Sequence, residues 1–217
     1  RTPLNAIVGY GSLTKDADTL SEVKNYAGEI INSSNVLLGM FESIIDMKKI
    51  ETNKISVKNK YYDFSKEIKE LLTILKPKIV NKGLKLNVNI NFNNILYGDI
   101  NIIKMIITHI MDNAIKYTSN GSISFNAGFN DNLLKITITD TGIGIKKENL
   151  ENIFEMFERG TCKNSNLNGV GLGLTIAKRL TDLLGGRIII SSQVSVGTKV
   201  TILIRQKERK NANISSR

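Results

Sequence analysis

The stretch Asp140-Thr141-Gly142-Ile143-Gly144-Ile145 follows directly on the alternating run Leu134-Lys135-Ile136-Thr137-Ile138-Thr139. Alternation at period two marks a half-buried strand, so this strand ends in a carboxylate and then breaks into two glycines one residue apart. Glycine has no Cβ to hold a neighbour off, so such a string can bring backbone close to a flat ligand. A plain tight turn satisfies the same string. A second glycine series, Asn168-Gly169-Val170-Gly171-Leu172-Gly173-Leu174, runs straight into an amphipathic helix. Two glycine clusters flanking one polar segment point to a ligand site rather than to two unrelated turns.

With 217 residues, 41% of them apolar and 23% charged, the chain accommodates one helical module and one α/β domain. No apolar run approaches the roughly 18 to 20 residues needed to cross a bilayer, and the N-terminus lacks a signal-peptide pattern. We therefore expect a soluble, cytoplasmic segment, with any sensor or membrane tether outside it. Cys162 is the sole cysteine, which rules out an internal disulfide and a multi-cysteine metal site. The net charge of +10 is scattered, not gathered on one face among aromatics, so nucleic-acid binding is not expected. It is compatible with anionic ligands and partners.

Arg1-Thr2-Pro3-Leu4 opens a helix with its apolar stripe, Leu4, Ile7, Val8 and Gly11, already running. This suggests further sequence upstream. After the polar break Asp16 to Thr19, Ser21 with Glu22 behind it can open a second helix to about Ile50. Its positions Val23, Ala27, Ile30, Ser34, Leu37, Phe41 and Ile44 alternate spacings of four and three, the seam of a helix bundle. Residues 1–50 thus read as a hairpin that a second copy completes into a four-helix bundle; a monomeric hairpin docked on the next domain is the alternative.

Residues 51–62 read as a linker, 63–206 as an α+β sandwich and 207–217 as a basic tail. Within the sandwich we expect a helix over Phe64–Asn81 kinked near its end by Pro77, a strand at Leu84–Ile90, and a long helix capped by Asp99 and ending at Tyr117. Paired strands at Ser122–Phe129 and Leu133–Asp140 follow, then a cover over Glu148–Asn168. A helix over Val170–Leu184 and strands at Arg187–Gln193 and Thr198–Arg205 complete it. The long helix carries His109, Asp112, Asn113, Lys116 and Tyr117. An amide oxygen facing phosphates can hold a hydrated Mg²⁺, and Lys116 can add charge, although a solvated polar face gives the same pattern.

Taken together these residues resemble the sensor histidine kinases of two-component systems and their GHKL ATPase fold. His109-Ile110-Met111-Asp112-Asn113-Ala114-Ile115-Lys116-Tyr117-Thr118 is similar to the N box and Asp140-Thr141-Gly142-Ile143-Gly144 to the G1 box. Phe154-Glu155-Met156-Phe157 is similar to the F box, Gly169 to Leu174 to the G2 box, and Gly197-Thr198 to the closing Gly-Thr. Arg1-Thr2-Pro3-Leu4 matches the second half of the H box.

The resemblance implies a homodimer that uses ATP and Mg²⁺ to phosphorylate a histidine and relays the phosphoryl group to a response-regulator aspartate. It implies adenine recognition by Asp140 with Gly142 and Gly144, Mg²⁺ on Asn113, and Lys116 and Tyr117 along the nucleotide. Gly169, Gly171 and Gly173 become the phosphate cradle, Ile145, Leu172, Leu174 and Thr198 further contacts, 148–168 the ATP lid, and Phe154 and Phe157 its clamp. The phospho-accepting histidine falls three positions before Arg1, while Thr2 sits where many members position water for phosphatase activity. His109 stands where the family usually has asparagine, as a modified metal site, a base, or a polar replacement acting through water. A nucleotide-binding dimeric regulator without kinase activity is the alternative reading. A gyrase or mismatch-repair type ATPase is disfavoured by the paired N-terminal helices.

Overall fold

The computed structural model describes residues 1–52, 54–155 and 171–209. Helix α1 (Thr2–Lys15) packs antiparallel on α2 (Leu20–Glu51). Pro3 fits the first turn of α1, where its missing N–H costs nothing. The second helix is capped by Thr19, not Ser21: the Thr19 hydroxyl accepts from Glu22 N–H at 3.2 Å, and the Glu22 carboxylate accepts from Thr19 N–H at 3.1 Å. This reciprocal capping box fixes the turn between the helices.

The expected seam is only partly buried. Ser33, at 8% exposure, lies inside where Ser34 was expected, and Leu4, Val8, Phe41 and Ile44 are exposed. At 1.5 Å per residue α1 spans about 21 Å and α2 about 48 Å, so the far half of α2 has no α1 opposite it. That half instead sends Met47 and Ile50 into the core of the second domain.

Strand β1 (Lys60–Asp63) leads into α3 (Phe64–Asn81), which continues through Pro77, and then come β2 (Lys85–Ile90), β3 (Ile95–Gly98) and α4 (Ile100–Tyr117). The hairpin of β4 (Ser122–Asn130) and β5 (Leu133–Asp140) turns through Asp131 and Asn132 at φ of 50° and 60°. Short α5 (Lys147–Leu150), α6 (Gly173–Leu183), β6 (Arg187–Gln193), β7 (Gly197–Arg205) and β8 (Lys207–Glu208) complete the order. The main sheet runs β2-β4-β5-β7-β6, with β2 parallel to β4 and the other pairs antiparallel. Helices α3, α4 and α6 cover one face, giving an α/β sandwich behind a helical hairpin. Ile103, Ile106, Ile107 and Ile110 of α4 are buried at 0 to 1% exposure in one core with Phe125, Ile136 and Ile202 of the sheet.

A second sheet, β1-β3-β8, corrects the expected boundaries. Lys60 to Tyr62, expected in the linker, pair with β3, and so do Lys207 and Glu208 of the expected tail. These strands are too short and lysine-rich for periodicity to register. Tertiary bonds hold them: the buried Tyr62 hydroxyl donates to Gln206 Oε1 at 2.9 Å. Helix α6 begins at Gly173, not Val170, because Gly171 adopts φ +75° just ahead of it. The remainder of the cover, 156–168, lies outside the described residues.

Asp99 caps α4 and links the layers. Its Oδ1 accepts from Asn101 and Ile102 N–H at 3.0 and 3.2 Å, while Oδ2 accepts from Lys58 N–H at 2.7 Å. Replacing Asp99 by alanine is expected to lower the unfolding free energy by about 1–2 kcal/mol, measured by urea denaturation.

Candidate functional site

The site begins where β5 ends. The inward alternation of Leu134, Ile136 and Ile138 places Asp140 on the buried side of the sheet, at 8% exposure. Its Oδ1 accepts from Gly142 N–H at 2.9 Å and from Thr198 N–H, directly across on β7, at 3.3 Å. Burial raises the Asp140 pKa above the ordinary carboxylate value, and the two N–H donors oppose that rise. The site therefore holds a desolvated carboxyl with one oxygen, Oδ1, held by backbone N–H groups from two segments.

The glycines around it make room for protein backbone. A Cβ on Gly142 would stand 2.4 Å from the Tyr117 carbonyl oxygen, and one on Gly144 (φ +69°) 2.0 Å from that of Gln193. Gly197, at φ +133°, would meet the Asp140 carbonyl at 1.9 Å. With these contacts open, Ile143 N–H donates to Tyr117 O at 3.2 Å and Ser195 N–H to Ile143 O at 2.8 Å. Ile145 N–H donates to Ser192 Oγ at 2.8 Å, and Ser192 Oγ also lies 2.9 Å from Thr198 Oγ1. The end of α4, the loop after β5 and the β6–β7 hairpin thus close around Asp140 as one backbone frame.

Helix α4 forms the adjoining wall. Lys116 Nζ donates to the Tyr117 hydroxyl at 3.2 Å and lies 4.7 Å from its ring centre. Asn113 abuts the start of α6, since a Cβ on Gly173 would come 3.1 Å from its amide nitrogen. Among the described residues no side chain caps the N-terminus of α6, so on their account its first N–H groups and the helix dipole face an anion site beside that amide. An amide oxygen beside a helix N-terminus has the chemistry to hold a hydrated Mg²⁺ next to phosphates, so the residues present are compatible with ATP and the ion. Leu172 is buried, and Leu174 and Thr198 are half-buried. Phe154 packs on the core, while Thr175 Oγ1 donates to Glu155 O at 3.2 Å and ties α6 to the segment before it. Phe157 and Gly169 lie outside the described residues.

Two of the expected residues sit apart from this group. Thr2 is exposed at the start of α1. The His109 imidazole turns toward the hairpin, with Nε2 3.9 Å from Asp46 Oδ2 of α2, on the wall of a cleft of about 300 Å³ between α2 and α4. Burial lowers its pKa, with Asp46 and then Asp112 pulling the other way.

Sequence reasoning missed Lys82. Its ammonium donates to the Ile115 and Lys116 carbonyls at 2.5 and 2.9 Å, closing the C-terminus of the helix that positions Tyr117. No local pattern signals a lysine that reaches across to another helix. Lys82→Met is expected to cost about 1 kcal/mol of stability and to speed amide exchange at Ile143, whose N–H bonds the Tyr117 carbonyl. Hydrogen exchange read by mass spectrometry or NMR checks this.

The profile of the histidine kinase-, DNA gyrase B- and HSP90-like ATPases matches residues 98–208, and that of the His Kinase A phospho-acceptor domain matches residues 1–53. Over the whole chain it is 32% identical to the autoinducer 2 sensor kinase/phosphatase LuxQ of Vibrio parahaemolyticus, covering 26% of that protein. It is 34% identical to hybrid signal transduction histidine kinase L of Dictyostelium discoideum, over 96% of this chain and 13% of that one. The chain thus spans about a quarter or less of these relatives. Among solved structures, Acinetobacter baumannii histidine kinase AdeS superposes with TM-score 0.73 at 22% identity, over 94% of this chain and 95% of that one. Full-length ShkA in complex with AMPPNP superposes with TM-score 0.73 at 20% identity, over 96% of this chain and 44% of that one. The boxes, their order along the chain and the frame built around Asp140 converge with these likenesses: the chain belongs to the sensor histidine kinases, a phospho-acceptor-type helical hairpin joined to an ATPase domain.

Proposed function

We propose that the second domain binds ATP with Mg²⁺ and donates the γ-phosphoryl group to a histidine on the hairpin of a homodimer, from which it passes to an aspartate of a response-regulator receiver domain. The observation that carries this reading is the buried Asp140 carboxyl, whose Oδ1 accepts from Gly142 and Thr198 N–H, near a helix N-terminus that no described side chain caps. A carboxylate so placed accepts from an exocyclic amino group, which adenine has. Asn113 would hold the Mg²⁺, which neutralises phosphate charge when bound, and Lys116 and Tyr117 would flank the nucleotide. In the transfer a histidine nitrogen forms the new bond to the γ-phosphorus as the bond to the β–γ bridging oxygen breaks and ADP leaves; positioning and charge neutralisation do most of the work.

A second copy is supported by the apolar side chains that the hairpin leaves exposed, including Leu4 at 53%, Val8 at 62%, Ile31 at 60% and Leu38 at 57%. Stripes of this kind complete a four-helix bundle. Thr2, on the same hairpin, would position water for dephosphorylation. Among the described residues no helix is long and apolar enough to cross a membrane. We place the activity in the cytoplasm, where ATP and receiver domains meet.

Isothermal titration tests the nucleotide seat. Asp140→Asn is expected to weaken Mg-ATP binding at least tenfold, since a charge-assisted hydrogen bond contributes about 1.5–3 kcal/mol. Its folding stability should hold or rise. Burial raises the Asp140 pKa, so the folded protein binds this proton more tightly than the unfolded chain does. The charged carboxylate thus costs stability at neutral pH, and the cost disappears as pH falls through the raised pKa. Parent-like binding by a folded Asp140→Asn would overturn the adenine assignment.

The transfer itself is tested with a chain extended ahead of Arg1 by the family's His-Glu-Ile and incubated with γ-labelled ATP. Acid-labile, alkali-stable phosphohistidine is expected, and Asn113→Ala should abolish it. ATP hydrolysis without phosphohistidine would sink the kinase reading.

A further inference from the structure

The strand register fixes which side chains stand on the face of the main sheet that α3, α4 and α6 leave uncovered. Leu134, Ile136 and Ile138 of β5 point into the core, so Lys135, Thr137 and Thr139 point out, and pairing carries this parity to the other strands. Lys135 lies opposite Leu203 of β7, and Leu203 lies opposite Arg187 of β6. Arg205, two residues beyond Leu203 on β7, is diagonal to both, a spacing of about 7–8 Å on a sheet. Lys199 of β7 and Lys85 of β2 stand further along the same face, and all of these cations are exposed.

This face carries one sign of charge. None of its outward strand residues is aspartate or glutamate, and Asp131, in the adjoining β4–β5 turn, accepts from the Asn130 amide at 2.9 Å. Among the described residues no ion pair reaches Lys85, Lys135, Arg187, Lys199 or Arg205. The ion pairs that do form, such as Lys104 with Glu67 and Lys178 with Asp182, lie on helices or in the loop ahead of α5. Cations scattered along the chain are thus gathered by the sheet. Soluble surfaces ordinarily mix both signs, because a single-sign field repels itself; such a field instead steers a partner of opposite charge.

We propose that this open sheet face docks an acidic surface of a partner protein, steered by charge into a transient complex. Between the cations stand Thr137, Thr139, Thr201 and Ser124, whose hydroxyls can donate to carboxylates and accept from amides. No outward residue of the face is aromatic, so it offers neither a stacking platform for bases nor an anchor at the headgroup level of a bilayer. Four strand spacings of about 4.8 Å and the eight residues of β5 give the face roughly 19 by 26 Å, about 500 Å². A stable complex buries about 800 Å² per partner, so this face suits a weak, salt-sensitive encounter.

Poly-L-glutamate serves as the carboxylate probe, titrated into the isotope-labelled chain and followed by amide NMR. Saturable shifts are expected on the outward residues of β5, β6 and β7, with binding weakened severalfold when the ionic strength is raised to about 0.15 M. The triple reversal Lys135→Glu, Arg187→Glu and Arg205→Glu should weaken binding at least about tenfold. The matched reversal of exposed helix lysines, Lys24→Glu, Lys69→Glu and Lys76→Glu, changes the net charge equally and should weaken it less than about threefold. Spectral dispersion reports the fold, and glutamine at the same three face positions gives a smaller loss in the same direction should the reversal not fold. Equal weakening by the face and helix reversals would overturn the proposal, as would shifts confined to the helical side. Tighter binding of phosphatidylserine vesicles or duplex DNA to this face at the same salt would overturn it too. No nucleotide is present, so the result stands apart from the ATP reading.

Discussion

The carboxyl of Asp140 is the point on which the ATPase domain closes. It is desolvated, and a buried carboxylate persists only where donors face it. The donors here are backbone N–H groups from two different segments, Gly142 just downstream and Thr198 across the sheet. Satisfying one side chain therefore requires the loop after β5 to turn back and β7 to pair in register. The glycines are the steric condition for that closure, because any Cβ at Gly142, Gly144 or Gly197 would collide with a carbonyl oxygen. Glycines that seem to serve a ligand first serve the protein's own backbone.

Helix α4 transmits this frame to the rest of the molecule. Its apolar side fills the core, Asp99 and Lys82 satisfy its two ends, and its last turn supplies the Tyr117 carbonyl to the loop after β5. The face away from the sheet carries Asn113 toward α6 and His109 toward the hairpin. One helix thus connects the proposed nucleotide seat to the domain junction.

Much of this was legible in the chain. Alternation located β4 and β5, helical spacing located α4, and Asp99 marked its start, because each pattern is local and the core is one-sided. The β1-β3-β8 sheet was not legible: its strands are two to four residues long and stand only through partners distant in sequence. The seam of α2 was over-read for a related reason. A repeat of fours and threes says which face is apolar, not whether anything covers it, and α1 covers only half.

The sequence by itself determined the order of elements, the family and the residues that could surround a nucleotide, because motif spacing and hydrophobic period are properties of adjacent residues. The tertiary structure alone decided the direction of His109. From spacing, an imidazole one turn before Asn113 belongs to the same face and the same chemistry. Once Met47 of α2 is buried and Ile50 packs against the ATPase domain, that imidazole comes near Asp46 instead. Side-chain partners across a domain junction depend on how two bodies dock, and no local pattern encodes that.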